Sequence, residues 1–170
     1  DAAVQVASAP MTINGADLHG YALTDLRKSL PIDLATGRLP RTPDEILLGL
    51  RAARELEVDV GDVVTAVDAD GVAHELAVTG TGVVPAFDGE PLGANAVVTP
   101  AGLDAAAQSE DFRGLAVTAR PGTDPAALID ELDDHVEADG GGIPTEVENL
   151  RQLGRLPGAV AALVGTIAVL

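Results

Sequence analysis

Chemistry in this chain would have to come from carboxylates, three histidines and a few hydroxyls, because there is no cysteine. Asp68-Ala69-Asp70-Gly71 has the look of a calcium loop, with two carboxylates one residue apart ahead of a glycine. A calcium loop of the EF-hand kind needs a further oxygen ligand two positions on and a closing glutamate. Val72 and the β-prone residues after it supply neither, so these four residues read as a hairpin turn. His19, His74 and His135 lie far apart without metal-ligand spacing. His74 falls in a hairpin strand as a surface residue, and His135 follows Asp133 and Asp134 on the polar side of a helix. Ser8, Ser29 and Ser109 show no Gly-x-Ser-x-Gly elbow. Gly80-Thr81-Gly82 lacks the third glycine and the helix of a dinucleotide fingerprint, and there is no P-loop. With 27 acidic residues, neighbouring carboxylates arise by chance. The expectation is no catalytic, metal or cofactor-binding residue, no cofactor, and no enzyme activity of the chain's own.

The elements that would position such groups are short. The chain has 170 residues, enough for one domain or two small lobes with a real core. Its hydrophobic share is 46% against only 2% aromatic, so alanine, valine and leucine must fill that core. Nineteen glycines and 11 prolines make turns frequent. The formal net charge of -17 repels phosphate backbones and anionic headgroups, which argues against nucleic-acid binding. Asp1 is not a start residue and no signal peptide is visible, so the chain reads as an excerpt or a processed piece.

In order, Val4-Gln5-Val6 is a short strand. Met11-Thr12-Ile13, Asn14-Gly15 and residues 16–22 read as a hairpin, since Asn-Gly is a strong two-residue turn signal. Residues 24–30 read as a polar half-turn or short helix, and alternation puts Ile32 and Leu34 on one face. Pro40 and Pro43 mark an irregular turn. Ile46-Leu47-Leu48 is a short buried run, and Leu50, Ala53 and Leu56 recur at helical spacing. Residues 63–67 and 73–78 flank the Asp68–Gly71 turn, and a separate run, Thr81 to Val84, follows. Residues 86–93 read as loop and 95–99 as a buried strand. Thr99 is an N-cap with Pro100 at the first helical position. Residues 115–120 form another strand. A helix from Pro125 would carry Leu128, Ile129, Leu132 and Val136 on its apolar face.

The stretch from Gly37 to Pro85 carries a resemblance. Gly37, Arg38, Glu45, Ile46, Gly49, Ala53, Leu56, Gly61, Asp62, Val64, Val78, Gly80 and Val83 fall in an order that resembles the extracytoplasmic domain of MacB/FtsX-like ABC-transporter permeases. Glu57 departs from that pattern, where the family usually has glycine. Near the end, Asn149, Leu150, Leu156, Pro157, Ala162 and Leu163 match the family's series leading into its second membrane helix. Residues 156–170 contain no charged side chain. A spanning helix needs about 20 apolar residues, so this run reads as the first part of one, and Gly158, Ala161, Ala162 and Gly165 give it small residues at near-helical spacing.

The resulting expectation is an α+β domain of short mixed strands and hairpins with a few short helices, followed by the start of a transmembrane helix. Residues 1–150 would be the extracytoplasmic part, and 151–170 the connector and membrane segment. The resemblance implies a permease subunit in the cell membrane that couples ATPase-driven motion to substrate export or to regulation of a cell-envelope partner. It implies a separate cytoplasmic ATP-binding subunit, a second permease half or a second copy, and bilayer contact through the C-terminal helix. The competing expectation is a free soluble α+β binding domain whose C-terminal helix is core.

Overall fold

The computed structural model describes residues 3–29, 32–84, 91–109, 112–117 and 165–168. These hold nine strands and two short helices, in the order β1 (Ala3–Ile13), β2 (Ala16–Arg27), β3 (Asp33–Gly37), β4 (Glu45–Gly49), α1 (Leu50–Leu56), β5 (Val63–Val67), β6 (Ala73–Val83), β7 (Asn95–Val98), α2 (Pro100–Ala106), β8 (Phe112–Val117) and β9 (Gly165–Ala168). The mixed sheet with two small helices agrees with the expected α+β class.

Six of the strands close into a ring. The hydrogen-bonded order runs β2-β7-β4-β6-β5-β1, and β1 pairs again with β2. The β2–β7 and β4–β6 pairs are parallel and the other four are antiparallel. Each of the six strands sends buried side chains inward: Met11, Ala22, Ala96, Ile46, Val78 and Val64 belong to one cluster. Ala53 of α1 and Leu103 of α2 join that cluster from outside the ring. A second cluster lies on the outer face, where Val4, Val6, Tyr21, Leu47 and Val97 are joined by Val84 and by Ala116 of β8. Strands β4 and β7 are therefore buried on both faces, which is why their sequences are continuous apolar runs rather than alternating ones.

Strand β1 is one element, where the sequence suggested two. Its Val4–Val6 and Met11–Ile13 pieces are joined through Pro10. One edge of β1 pairs with β2 throughout, while the other pairs with β8 from Ala3 to Ser8 and with β5 at Thr12 and Ile13. Pro10 sits between those two partners. Its carbonyl faces the gap and accepts the Gln108 N–H at 3.0 Å. Its missing N–H faces the same way, so no ladder bond is lost.

Two further sequence readings are corrected. Residues 24–27 continue β2 instead of forming a helical turn, because Ala3–Ile13 offers a ladder partner as far as Arg27. Residues 73–83 form a single strand, and Gly80 and Gly82 let β3 lie against it. A Cβ on Gly80 would come 2.5 Å from the Arg38 carbonyl oxygen, and one on Gly82 2.6 Å from that of Asp33.

Helix α1 has no side-chain cap; the Gly93 carbonyl accepts the N–H groups of Arg51 and Ala52 at 3.0 and 2.9 Å instead. Helix α2 starts as expected, with Thr99 Oγ1 accepting the Gly102 N–H at 3.1 Å and Pro100 in its first turn. Of the apolar C-terminal run only Gly165–Ala168 is described, and it is a strand beside β8 rather than a turn of helix. Thr166 and Ile167 are β-branched, and the edge of β8 away from β1 offers backbone groups to pair. The helix expected from Pro125, His135, the loop at 86–90 and the boundary at 150/151 lie outside the described residues. No described helix is long and apolar enough to cross a membrane.

Candidate functional site

The Asp68–Gly71 turn closes the β5–β6 hairpin, and the Asp68 carboxylate is bonded within it. Asp68 Oδ1 accepts the N–H groups of Asp70 and Val72 at 3.0 and 2.8 Å. Its other oxygen lies 2.8 Å from His74 Nε2. These bonds, His74 first, hold the Asp68 carboxyl below its usual range. The arrangement stabilises the hairpin, with three of the carboxylate's contacts made to the hairpin itself. His74 thus reaches across to the turn, where the sequence placed it as a plain surface residue. Among the described residues, no group of three or more histidine and acidic side chains could hold a metal.

One charge pairing is not singled out by the sequence. Arg38 grips Glu45 with both terminal guanidinium nitrogens, Nη1 at 2.7 Å and Nη2 at 2.6 Å. Glu45 also accepts the Arg41 backbone N–H at 2.8 Å. The Glu45 carboxyl is accordingly lowered to about 2, chiefly by the Arg38 hydrogen bond and then by the Arg41 N–H. The pair raises the Arg38 guanidinium in turn. It closes the proline-containing loop between β3 and β4 and ties it to β6, because Arg38 N–H donates to Thr79 O at 2.9 Å. Its signal in the sequence was the Gly-Arg before two prolines and the glutamate that opens the apolar run.

Gly61-Asp62 is likewise architectural. Gly61 has φ of 105°, Asp62 Oδ2 accepts the Asp59 N–H at 2.8 Å, and Val78 N–H donates to Asp62 O at 2.8 Å. Glu57 caps α1 in the left-handed region, with φ 55° and ψ 44°. That is a conformation glycine adopts freely, so the position at which this chain departs from the family pattern is one with a physical reason for glycine.

A groove of about 320 Å³ lies between β1, β2, α2 and β8. Small apolar side chains, Ala7, Ala9 and Ala22, make part of its wall with Leu103, and Thr24 and Arg113 add polarity. Ser109 and Asp104 also line it, and no histidine does. Ser29 is occupied otherwise, donating to Asp25 at 2.5 Å. Gly80-Thr81-Gly82 lies within β6, with Thr81 hydroxyl 2.8 Å from that of Thr36, so it cradles no phosphate.

The shared pattern of turns, latch and hairpin is therefore a fold signature, and it is matched as one. Residues 2–135 match the family described as the MacB-like periplasmic core domain. The chain belongs to that family. No curated protein matches it. No solved structure matches it either. The MacB-like periplasmic core domain is an extracytoplasmic domain of the ABC-transporter permease type, which gives this chain a coarse function and a side of the membrane. Within it, Gly37-Arg38, Glu45, Gly49 and Gly61-Asp62 set loops and close contacts between strands.

Proposed function

We propose that this MacB-like periplasmic core domain is moved as a unit by the membrane helices of its permease, in step with ATP binding and hydrolysis on a separate cytoplasmic subunit. The match over residues 2–135 carries this reading. A closed barrel supports it, because a ring with every strand paired transmits displacement with little internal deformation. The motion serves export of a substrate or regulation of a partner in the cell envelope. The permease works with a second half or a second copy of itself, and the domain performs no catalysis of its own.

On this reading residues 145–156 are the connector and 156–170 enter the bilayer. A flexible glycine-serine insertion near Gln152 in the intact transporter then abolishes transport or signalling while the domain stays folded by circular dichroism. Full function in that variant would exclude the connector role.

The pairing of β9 with β8 favours a second reading, in which the C-terminal run belongs to the fold of a free α+β binding domain. Gly165–Ala168 cannot pair with β8 and lie in a spanning helix together, since a helix satisfies its own backbone groups. Alkaline extraction of membranes from cells making the whole native protein separates the two. Retention in the membrane supports the permease, and release supports the free domain.

A further inference from the structure

Asn14 and Gly15 form the turn between β1 and β2, with positive φ of 49° and 82°. The same turn completes the barrel. Strands β1 and β5 share only two register pairs, Thr12↔Val67 and Ile13↔Ala66. Asn14 adds the next rung in an unusual way. Its backbone N–H donates to Thr65 O at 2.8 Å, and its side-chain Oδ1 accepts the Thr65 N–H at 2.9 Å. The side-chain amide thus does for β5 what a backbone carbonyl would do in a regular ladder.

Of the three asparagines in the chain, Asn14 alone is followed by glycine; Asn95 precedes Ala96 and Asn149 precedes Leu150. Glycine has no Cβ to shield its own nitrogen. Open space surrounds Gly15, its N–H makes no hydrogen bond among the described residues, and both turn residues are exposed.

We propose that Asn14 is a site of spontaneous covalent modification whose main product opens the β1–β5 seam. In mild base the Gly15 backbone N–H gives up its proton and the nitrogen attacks Asn14 Cγ. A C–N bond forms, and charge collects on Oδ1, where the Thr65 N–H already donates. The Cγ–Nδ2 bond then breaks and ammonia leaves with a proton from water. Water opens the resulting cyclic imide at either carbonyl, giving aspartate or isoaspartate. Aspartate keeps an acceptor oxygen for Thr65. Isoaspartate routes the main chain through Cγ and adds a methylene to the turn, so the Asn14–Thr65 rung is lost.

The test incubates the purified chain at mildly alkaline pH and follows each asparagine by peptide mass and by enzymatic isoaspartate labelling, with hydrogen exchange read at Thr65, Ala66 and Val67. The expected result is an amide-to-acid conversion at Asn14, largely isoaspartate, while Asn95 and Asn149 stay amides. Protection at Thr65 falls in the isoaspartate fraction and is kept in a directly made Asn14→Asp variant. Conversion no faster at Asn14 than at Asn149, conversion only in urea, or unchanged Thr65 protection in the isoaspartate form would each overturn the proposal. The wild-type time course decides the chemistry even where a variant fails to fold.

Discussion

Glu57 holds a left-handed backbone at the end of α1 and is exposed, so its side chain adds a conformational cost with no packing in return. Glu57→Gly should raise stability by about 1 kcal/mol, because a residue with a Cβ in this region is strained by that order, and a urea midpoint measures it. Glu45 gives a pH prediction. Its folded pKa of about 2 lies below an ordinary glutamate value of about 4.3. The Arg38 latch therefore contributes fully above the ordinary value, and its contribution is lost as pH falls through the folded one. Thermal melts should show wild type losing its advantage over Glu45→Gln across that acid window and not near neutrality. At the hairpin, Asp68→Asn keeps an acceptor for the two backbone N–H groups while Asp68→Ala keeps none, so melting points should order wild type, then Asn, then Ala. The hairpin itself was legible from Asp68 to Gly71, because turn chemistry is local. The Arg38–Glu45 grip was not, since nothing in one sequence says which of many carboxylates an arginine meets.

At the scale of elements, tertiary closeness decides what local propensity leaves open. Gly80→Ala would press a methyl group on the Arg38 carbonyl, and backbone must move to admit it. The expected loss is about 1–3 kcal/mol, the usual cost of overpacking. Gly71→Ala has nothing within 4 Å and should show only the strain of φ 79°, about 1 kcal/mol. Denaturant midpoints of both variants measure the difference. Helix α2 and its Thr99 cap, helix α1 and the buried runs of β4 and β7 were readable because their signals are periodic or cap-based. Residues 24–27 read as a turn or helix yet extend β2, since their strand state comes from β1 and not from their own composition. The continuity of β1 through Pro10 was hidden for a related reason: a proline looks like a strand end until the partnerless gap beside it is seen.

For the whole molecule, the α+β class followed from the mixture of alternating runs and short helical spacing. Closure into a ring did not, because the β1–β5 seam joins segments more than 50 residues apart through two register pairs and one asparagine. The closed ring and the match to a periplasmic core domain lead to one central claim, that the barrel moves as a rigid body when the transporter turns over. The direct measurement is distance between spin labels in the intact permease, reconstituted with its ATPase. One pair, Glu55→Cys on α1 with Asp70→Cys on the β5–β6 turn, lies within the domain on exposed positions. The other joins Asp70→Cys to a bilayer-embedded site of the permease. On adding ATP, the second distance should change while the first stays constant. Constancy of both, or a change within the domain alone, would contradict the claim.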